Sequence, residues 1–261
     1  MKKPSRLDYA YAVGRVRALE NNLISRAVLK EAADEKDFAD TMKALFDAGK
    51  FSEGMTQITT SLELDEFLEK EEKGFFNLIE KILLEKDILK IIFEAGFSGE
   101  KITVAENTGY PFIKKYFQHK VDLCNLKVFI RVKYSGFPKE TLEAQLLDGG
   151  FLDKHTLLKS FELSFSEAGE KLQATDYRDF WGEAIDALLN RETFVALERG
   201  MNDFLTAYLK RAKYIVFGPE PVFAYALARQ KEFDFVRFLG VGKLNRIPAE
   251  ILKQRMGETY V

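Results

Sequence analysis

Apolar residues recur at steps of three and four along most of this chain, which is the spacing of one buried face of an α-helix. The clearest run extends from Phe67 to Ile92 and includes Phe75, Ile79 and Ile82. The sequence lacks the alternation of apolar and polar residues that indicates strands, and it lacks Asn-Gly hairpin turns. The pattern therefore predicts an all-α fold.

Capping residues indicate where several of these helices begin. Ser5, Asp34 and Asp153 can each accept hydrogen bonds from a first helical turn, and Ser164 with Glu167 matches a capping box. The predicted helical stretches are Ser5 to about Ile24, Asp34–Gly49, Phe67–Ile92, Pro111–Tyr134, Pro138–Leu147, two that begin at Asp153 and Ser164, and a long region from Asp176 to Ile215. The segment GPEP (218–221) ends this region, and two or three short helices are predicted after it.

Length and composition permit a packed core. The chain has 261 residues, of which 46% are hydrophobic and 31% charged; at roughly 100–200 residues per domain, it can form one large domain or two to three small ones. The single cysteine, Cys124, excludes an internal disulfide and favours a reducing compartment. No apolar stretch is long enough to span a membrane, and no apolar segment of a secretory signal follows the basic N-terminus.

The charges are unevenly distributed along the chain. Residues 1–30 carry a net charge of +5, residues 31–100 carry −10, and residues 191–261 carry +4. An acidic segment thus precedes a nearly neutral middle and lies between two basic ends. Solvated helix faces explain this distribution, and so does a molecule that meets partners of both signs.

A self-match occurs at an offset of 110 residues. DLCNLK (122–127) aligns with EFDFVR (232–237), Lys133 aligns with Lys243, and FPKETL (137–142) aligns with IPAEIL (247–252), all without a gap. The shared proline fits the opening of a helix, where its missing N–H is not needed, and the following glutamate favours the first turn. We therefore predict that residues 115–145 and 225–255 form equivalent helix–turn–helix units.

The self-match predicts duplicated helical domains. We expect residues 1–110 to form an N-terminal helical region with a reduced first repeat, residues 111–220 to form a helical repeat, and residues 221–261 to match the unit at 111–150. A period of 110 residues is longer than that of ordinary solenoid repeats, so separate domains are expected in place of a stacked array.

Several segments resemble a known family in their order and spacing. They are DYAYAVGRVR (8–17), LIS (23–25), DLCNLK (122–127), LLDGGF (146–151), ALERG (196–200) and GPEP (218–221). Together they resemble the C subunit of prokaryotic V/A-type ATPases, whose counterpart in the eukaryotic vacuolar enzyme is the d subunit. The resemblance covers residues 5–25 and 115–255 and is weak between residues 50 and 110.

The resemblance implies an all-α fold of three similar helical domains that form a funnel around a pseudo-threefold axis. Three repeats of this period would need about 330 residues, more than the 261 present, so one domain is expected to be reduced. The implied role is non-catalytic: a central-axis subunit that couples the central stalk to the membrane proteolipid ring for proton or sodium transport. The implied location is cytoplasmic and peripheral to the membrane through protein contacts, with no cofactor and no nucleic acid.

Residues that could support catalysis or metal binding are sparse. The only histidines are His119 and His155, and no phosphate-binding loop or Cys-x-x-Cys pair occurs. Cys124 has the spacing of a core residue, and Asp176 with Asp179 fits a helix N-terminal turn better than a metal site. The sequence therefore predicts no catalytic residue and no metal ligand.

The candidate interface residues are Arg15 and Arg17, which lie in the basic N-terminal segment. Two other interpretations remain open at this stage. One is an all-α adaptor unrelated to rotary enzymes, and the other is an all-α enzyme that uses scattered carboxylates.

Overall fold

The computed structural model describes residues 3–94, 96 and 99–261. This part of the chain contains α-helices and short 3₁₀ helices but no strand, which confirms the all-α prediction. No helix in the described ranges is both long and apolar enough to cross a bilayer. The chain divides into two compact units, and the division falls within α12 (Val195–Lys210).

Unit 1 combines the residues before 96 with residues 206–261. Its helices are α1 (Ala10–Glu20), α2 (Arg26–Asp34), α3 (Phe38–Ala48), α4 (Ser61–Ile82), α5 (Lys86–Phe93), α13 (Glu220–Leu244) and α14 (Ala249–Arg255), with 3₁₀ helices at Arg6–Tyr9, Glu53–Gln57 and Arg211–Tyr214. Helix α13 is the centre of this unit, because α1, α2, α3, α4 and α5 all pack against it. Its buried side chains lie all around its circumference.

Unit 2 comprises residues 96–205. Its helices are α6 (Gly99–Asn107), α7 (Pro111–Tyr134), α8 (Lys139–Gln145), α9 (Lys154–Ser160), α10 (Phe165–Lys171), α11 (Arg178–Arg191) and the first part of α12. The core contains Leu126 and Phe129 of α7 and Trp181 of α11. The indole Nε1 of Trp181 donates a hydrogen bond to the Phe165 carbonyl over 3.2 Å, so this side chain is a core element.

Several predicted helix limits are confirmed. Helix α7 begins at Pro111 and ends at Tyr134, and α8 follows Pro138. Asp153 caps α9, and the capping box of Ser164 opens α10. These limits depend on local capping chemistry, which the sequence carries directly.

Other limits were wrong. The first helix ends at Glu20, not Ile24, and the N-cap of α3 is Asp37. Asp34 instead ends α2. The predicted helix Phe67–Ile92 is two helices, which separate at Leu83, and α4 continues unbroken through Gly74.

The two long C-terminal predictions also need correction. The region from Asp176 to Ile215 contains α11, α12 and a 3₁₀ helix, with a break after Arg191 where Glu192 takes a left-handed conformation. The chain after Pro219 forms one 25-residue helix and one 7-residue helix, not two or three short ones. Because the N-terminal half of α13, VFAYALA (222–228), is apolar on all sides, it lacks the one-sided pattern that indicates a long amphipathic helix.

The self-match corresponds to two helix–turn–helix segments, α7–α8 and α13–α14. Both turns have the hydrogen bonds of a Schellman motif. Phe137 N–H donates to the Val132 carbonyl over 3.0 Å, and Ile247 N–H donates to the Gly242 carbonyl over 2.9 Å. The residue before each donor has positive φ: +68° at Gly136 and +55° at Arg246. The same turn is therefore built with and without a glycine.

The matched lysines make equivalent contacts. The ammonium of Lys133 donates to the carbonyl of Phe161, the C-cap residue just after α9. The ammonium of Lys243 donates to the carbonyl of Glu35, the C-cap residue just after α2. Helix α2 is thus the counterpart of α9. The two helices differ in chain order: α9 directly follows α8, whereas α2 precedes α14 by more than 200 residues.

The matched acidic residues are both buried and both bind the backbone just before this counterpart helix. Asp122 accepts hydrogen bonds from the N–H groups of Phe151 and Leu152, over 3.0 and 2.9 Å. Glu232 accepts one from Ile24 N–H over 2.5 Å. In unit 2 this approach requires Gly150, because a Cβ there would lie 2.0 Å from the Asp122 Oδ1 atom.

Candidate partner interface

The N-terminal part of unit 1 exposes one face of its first helical turns. Tyr9 and Val16 point into the core, whereas Leu7, Tyr11 and Arg15 are exposed and follow one another at four-residue steps. Residues four apart lie above one another on a helix surface. The helix therefore presents an outward row of two large apolar groups and one guanidinium.

Two arginines join this helix to the segment that precedes α13. The guanidinium of Arg6 donates to the Phe217 carbonyl over 2.6 Å and forms an ion pair with Glu220 at 2.8 Å. The guanidinium of Arg17 donates to the carbonyls of Ala212, Lys213 and Ile215, over 2.7, 3.0 and 3.2 Å. The Ala212 carbonyl also accepts from Ile215 N–H, so Arg17 adds a second bond there and bonds to the Lys213 and Ile215 carbonyls at the end of the 3₁₀ helix Arg211–Tyr214.

The joined segment adds three more exposed apolar side chains. Tyr214 is 88% exposed, and Val216 and Phe217 are also exposed. We refer to Leu7, Tyr11, Tyr214, Val216 and Phe217 as the N-terminal apolar surface. Large apolar side chains exposed on two joined segments in this way are typical of protein interaction sites.

The charges around this surface are unbalanced. Arg15, Arg211 and Lys213 have no carboxylate within ion-pair distance among the described residues, although Arg211 stacks on Tyr208 and Lys213 lies 4.7 Å from the Tyr260 ring centroid.

The nearby acids are all engaged. Asp8 accepts from Ser5 N–H, Glu20 pairs with Arg17, and Glu220 pairs with Arg6. The surface thus combines apolar side chains with uncompensated positive charge, which complements an acidic partner.

The structure gives the two predicted interface residues different roles. Arg15 is exposed and makes no contact within the described part of the chain, so it is available to a partner. Arg17 is half-buried and occupied by Glu20 and three backbone carbonyls. Both lie on α1, but only Arg15 shares the outward row with Tyr11.

Part of the N-terminal apolar surface could have been predicted from the sequence but was not. Leu7 and Tyr11 lie outside the buried pattern of Tyr9, Ala12, Val13 and Val16, and an apolar pair on a polar helix face marks a contact site. No such signal exists for Tyr214 or Val216, because the segment that holds them is not regular.

The structure also locates the other residues that were considered for chemistry. Cys124 is half-buried, and burial raises the pKa of its thiol while Lys120 and Lys127 oppose the increase. His155, Asp176 and Asp179 are exposed, and Asp179 lies in the first turn of α11. Among the described residues, no three His, Cys, Asp or Glu side chains come together as metal ligands would.

His119 belongs to a buried chain of hydrogen bonds in unit 2. Its Nδ1 lies 2.8 Å from the Tyr177 hydroxyl, which donates to Asp122 over 2.7 Å. Burial raises the pKa of Asp122, and the bonds from Tyr177, Leu152 and Phe151 oppose this increase. The chain of bonds positions the backbone before α9.

Comparison with known proteins identifies relatives of this chain. The family model for the ATP synthase (C/AC39) subunit matches residues 99–255, from the start of α6 to the end of α14. The C subunit of the V-type sodium ATPase of Enterococcus hirae is 26% identical over 172 residues, which cover 66% of this chain and 52% of that protein.

The C subunits of two A-type ATP synthases are also similar. That of Haloquadratum walsbyi is 23% identical over 247 residues, which cover 92% of this chain and 68% of that protein. That of Methanobrevibacter smithii is 24% identical over 233 residues, which cover 86% of this chain and 56% of that protein. The chain thus spans about half to two thirds of the length of these relatives. Because the family model matches more than half of the chain, the protein belongs to the C/AC39 subunit family of ATP synthases.

Proposed function

We propose that this chain is a non-catalytic central-axis subunit of a V/A-type rotary ATPase or ATP synthase and couples the central stalk to the membrane proteolipid ring. The observation that carries this proposal is the family match from residue 99 to residue 255, which includes both helix–turn–helix segments. The relatives are C subunits of a V-type sodium ATPase and of A-type ATP synthases.

A mechanical role requires a body that does not deform under torque. Within unit 1, five helices pack around α13, and side chains in such close-packed interiors have little freedom to move. Membrane association in this proposal comes from contacts with other subunits at the cytoplasmic face.

The N-terminal apolar surface is the proposed partner contact. Tyr11 and Tyr214 are large and amphipathic, which suits them to supply most of the binding energy at the centre of an interface. The cations Arg15, Arg211 and Lys213 would guide encounter with an acidic partner, over a range limited to about 8 Å by physiological salt.

Deletion of the chain from its host tests the proposal. We expect ATP-driven ion pumping to stop while the detached catalytic head still hydrolyses ATP. Affinity isolation from native membranes, followed by mass spectrometry, should recover stalk subunits and the proteolipid. If pumping, stalk and ring all remain intact in the deletion strain, the coupling role is wrong.

Substitutions at the surface test the contact itself. Reversal of both Arg15 and Arg17 would also disturb the carbonyl contacts of Arg17, so the sharper variant is Tyr11→Asp with Arg15→Glu. We expect weaker assembly and reduced pumping without loss of folding. Arg255→Glu is the matched control, since Arg255 is also exposed, lies in unit 1 and makes no contact among the described residues.

A further inference from the structure

A hollow of about 190 Å³ lies in unit 1 between α13, α4 and the turn after α1. Its apolar wall consists of Leu19, Leu23, Phe75, Leu78 and Phe233. The hollow is outside the N-terminal apolar surface, and neither the family match nor the proposed coupling role assigns it a purpose. A cavity of about 150 Å³ is large enough to hold benzene, so this hollow has room for an apolar group the size of a benzene ring.

The polar groups of the hollow are mainly hydrogen-bond donors. They come from Asn22, Lys50, Glu71, Tyr225 and Arg229. The Arg229 guanidinium is buried and held by Glu232 and the Lys50 carbonyl. Glu71 accepts a bond from Ser52 N–H over 3.3 Å.

Tyr225 is the group that points to a ligand. It is 4% exposed and lines the hollow, yet its hydroxyl bonds to none of the residues that the structure describes. Burial raises the pKa of this phenol to about 12, so the hydroxyl stays protonated at neutral pH and can donate. The ring is buried, but the hydroxyl is not among the buried polar atoms without a partner, so it is placed to donate to a ligand in the hollow.

Gly74 is one of the residues that line the hollow. It lies inside α4, where glycine is a poor helix former, and no atom lies within 4 Å of the position that a Cβ would take. Packing therefore does not require glycine here. Because Gly74 lines the hollow, a larger side chain at this position would enter its space.

We propose that this hollow binds a small apolar molecule or side chain that carries one carboxylate. Tyr225, Asn22 and Lys50 would donate hydrogen bonds to that carboxylate. The charges favour a monoanion, because Arg229 is paired with Glu232 whereas Lys50 has no carboxylate within ion-pair distance among the described residues. One unpaired positive charge suits a monoanion better than a polyanion such as phosphate. The carboxylate belongs either to a free organic acid or to an acidic side chain of a partner subunit. The inference does not depend on the proposed coupling function.

Benzoate is the probe, and benzamide and benzylamine are its uncharged and cationic analogues. We expect benzoate to bind the purified chain with a dissociation constant of about 1 mM, measured by ligand-observed NMR, and the two analogues to bind more weakly. If benzoate does not bind, or binds no better than benzylamine, the proposal is overturned.

Two variants locate the binding. Tyr225→Phe removes only a hydroxyl that bonds to none of the described residues, and it should weaken benzoate binding about tenfold. Gly74→Leu should abolish binding by filling the hollow. Gly182→Leu is the matched control, because Gly182 of α11 also has nothing within 4 Å of a Cβ but does not line the hollow. Equal benzoate affinity of all three variants and the wild type would overturn the proposal.

Carbodiimide coupling distinguishes the two sources of the carboxylate. In the complex isolated from membranes, a partner's acidic side chain in the hollow would couple to the Lys50 amine and yield a cross-linked peptide that mass spectrometry identifies. Lys50→Arg would abolish this product. Benzoate binding without any such product assigns the hollow to a free acid.

Discussion

The matched segments α7–α8 and α13–α14 share a backbone plan but stabilise it with different chemistry. In unit 2, Asp122 is held by two backbone N–H groups and by the Tyr177 hydroxyl, which His119 contacts in turn. In unit 1, the equivalent Glu232 is held by one N–H group and by an ion pair with Arg229.

Both solutions place a buried carboxylate against the chain just before a helix, at Leu152 before α9 and at Ile24 before α2. A buried carboxylate is destabilising unless it is hydrogen-bonded or paired. The comparison shows that the acid keeps its position against the backbone segment before the helix, while the other groups that bind the acid differ between the two units. The two sites should therefore respond differently to loss of a partner.

Arg229→Met should have the largest effect. The Arg229 and Glu232 side chains are 9% and 5% exposed, so the variant leaves a buried charge without its cation and should lower the free energy of unfolding by about 3–5 kcal/mol. Urea denaturation followed by circular dichroism measures the loss. Arg229→Met with Glu232→Gln should be less destabilised than Arg229→Met alone, and equal losses would show that the ion pair is not the cause.

The same variant should change the dependence of stability on pH. Burial raises the pKa of Glu232 above its ordinary value of 4.5, and Arg229 opposes that increase. The native state therefore holds this proton to higher pH than the unfolded state, so the contribution of Glu232 to stability falls as the pH rises from 4.5 through the raised pKa. Without Arg229 this fall should be larger and extend to higher pH, as denaturation at a series of pH values would reveal.

Tyr177→Phe should have a smaller effect than Arg229→Met. Asp122 would lose one hydrogen bond but keep those from Phe151 and Leu152, so we expect a loss of about 2 kcal/mol. Urea denaturation gives the value, and Leu189→Ala, at an exposed position of α11, is a neutral control. A loss as large as that of Arg229→Met would mean that the two sites respond alike to loss of a partner.

The matched lysines should give nearly equal effects. Lys133→Met and Lys243→Met each remove one bond from an ammonium to the carbonyl of the C-cap residue after α9 or α2. We expect each to lower the free energy of unfolding by about 1 kcal/mol. Lys133 also lies 5.3 Å from the Phe161 ring centroid, so any inequality should make Lys133→Met the more destabilising change.

The turns should show the smallest effects, with opposite signs. Arg246 has a φ of +55°, which favours glycine, so Arg246→Gly should stabilise the protein by about 0.5–1 kcal/mol. Gly136→Ala, at a φ of +68°, should destabilise it by about 1 kcal/mol. Thermal unfolding of both variants provides the test, and shifts of the same sign would contradict the equivalence of the turns.

The sequence predicted those parts of the fold that local chemistry determines. Pro111, Asp153 and Ser164 each begin or cap a helix within a few residues of their own position. Asp34 and Asp37 are both good caps only three residues apart, and the choice between them depends on where Phe38 and Met42 pack. Sequence spacing does not carry that information.

The candidate interface was predictable only in part. Arg15 was identified from the basic N-terminal segment, and the structure leaves it exposed. The role of Arg17 depends on carbonyls almost 200 residues away in the chain, at Ala212, Lys213 and Ile215. The apolar surface depends on the same long-range contacts, because Arg6 and Arg17 position the segment that contains Tyr214 and Val216.

Unit 1 is assembled from both ends of the chain around α13, and this imposes an order on folding during synthesis. Helices α1 to α5 leave the ribosome long before α13, with a delay of about ten seconds at typical translation rates. Unit 2 is continuous and can complete its core first. Limited proteolysis of stalled nascent chains should find residues 99–205 protected from cleavage while residues 3–94 are still cleaved. Chaperones that shield apolar helices would therefore bind mainly to the N-terminal third of the nascent chain.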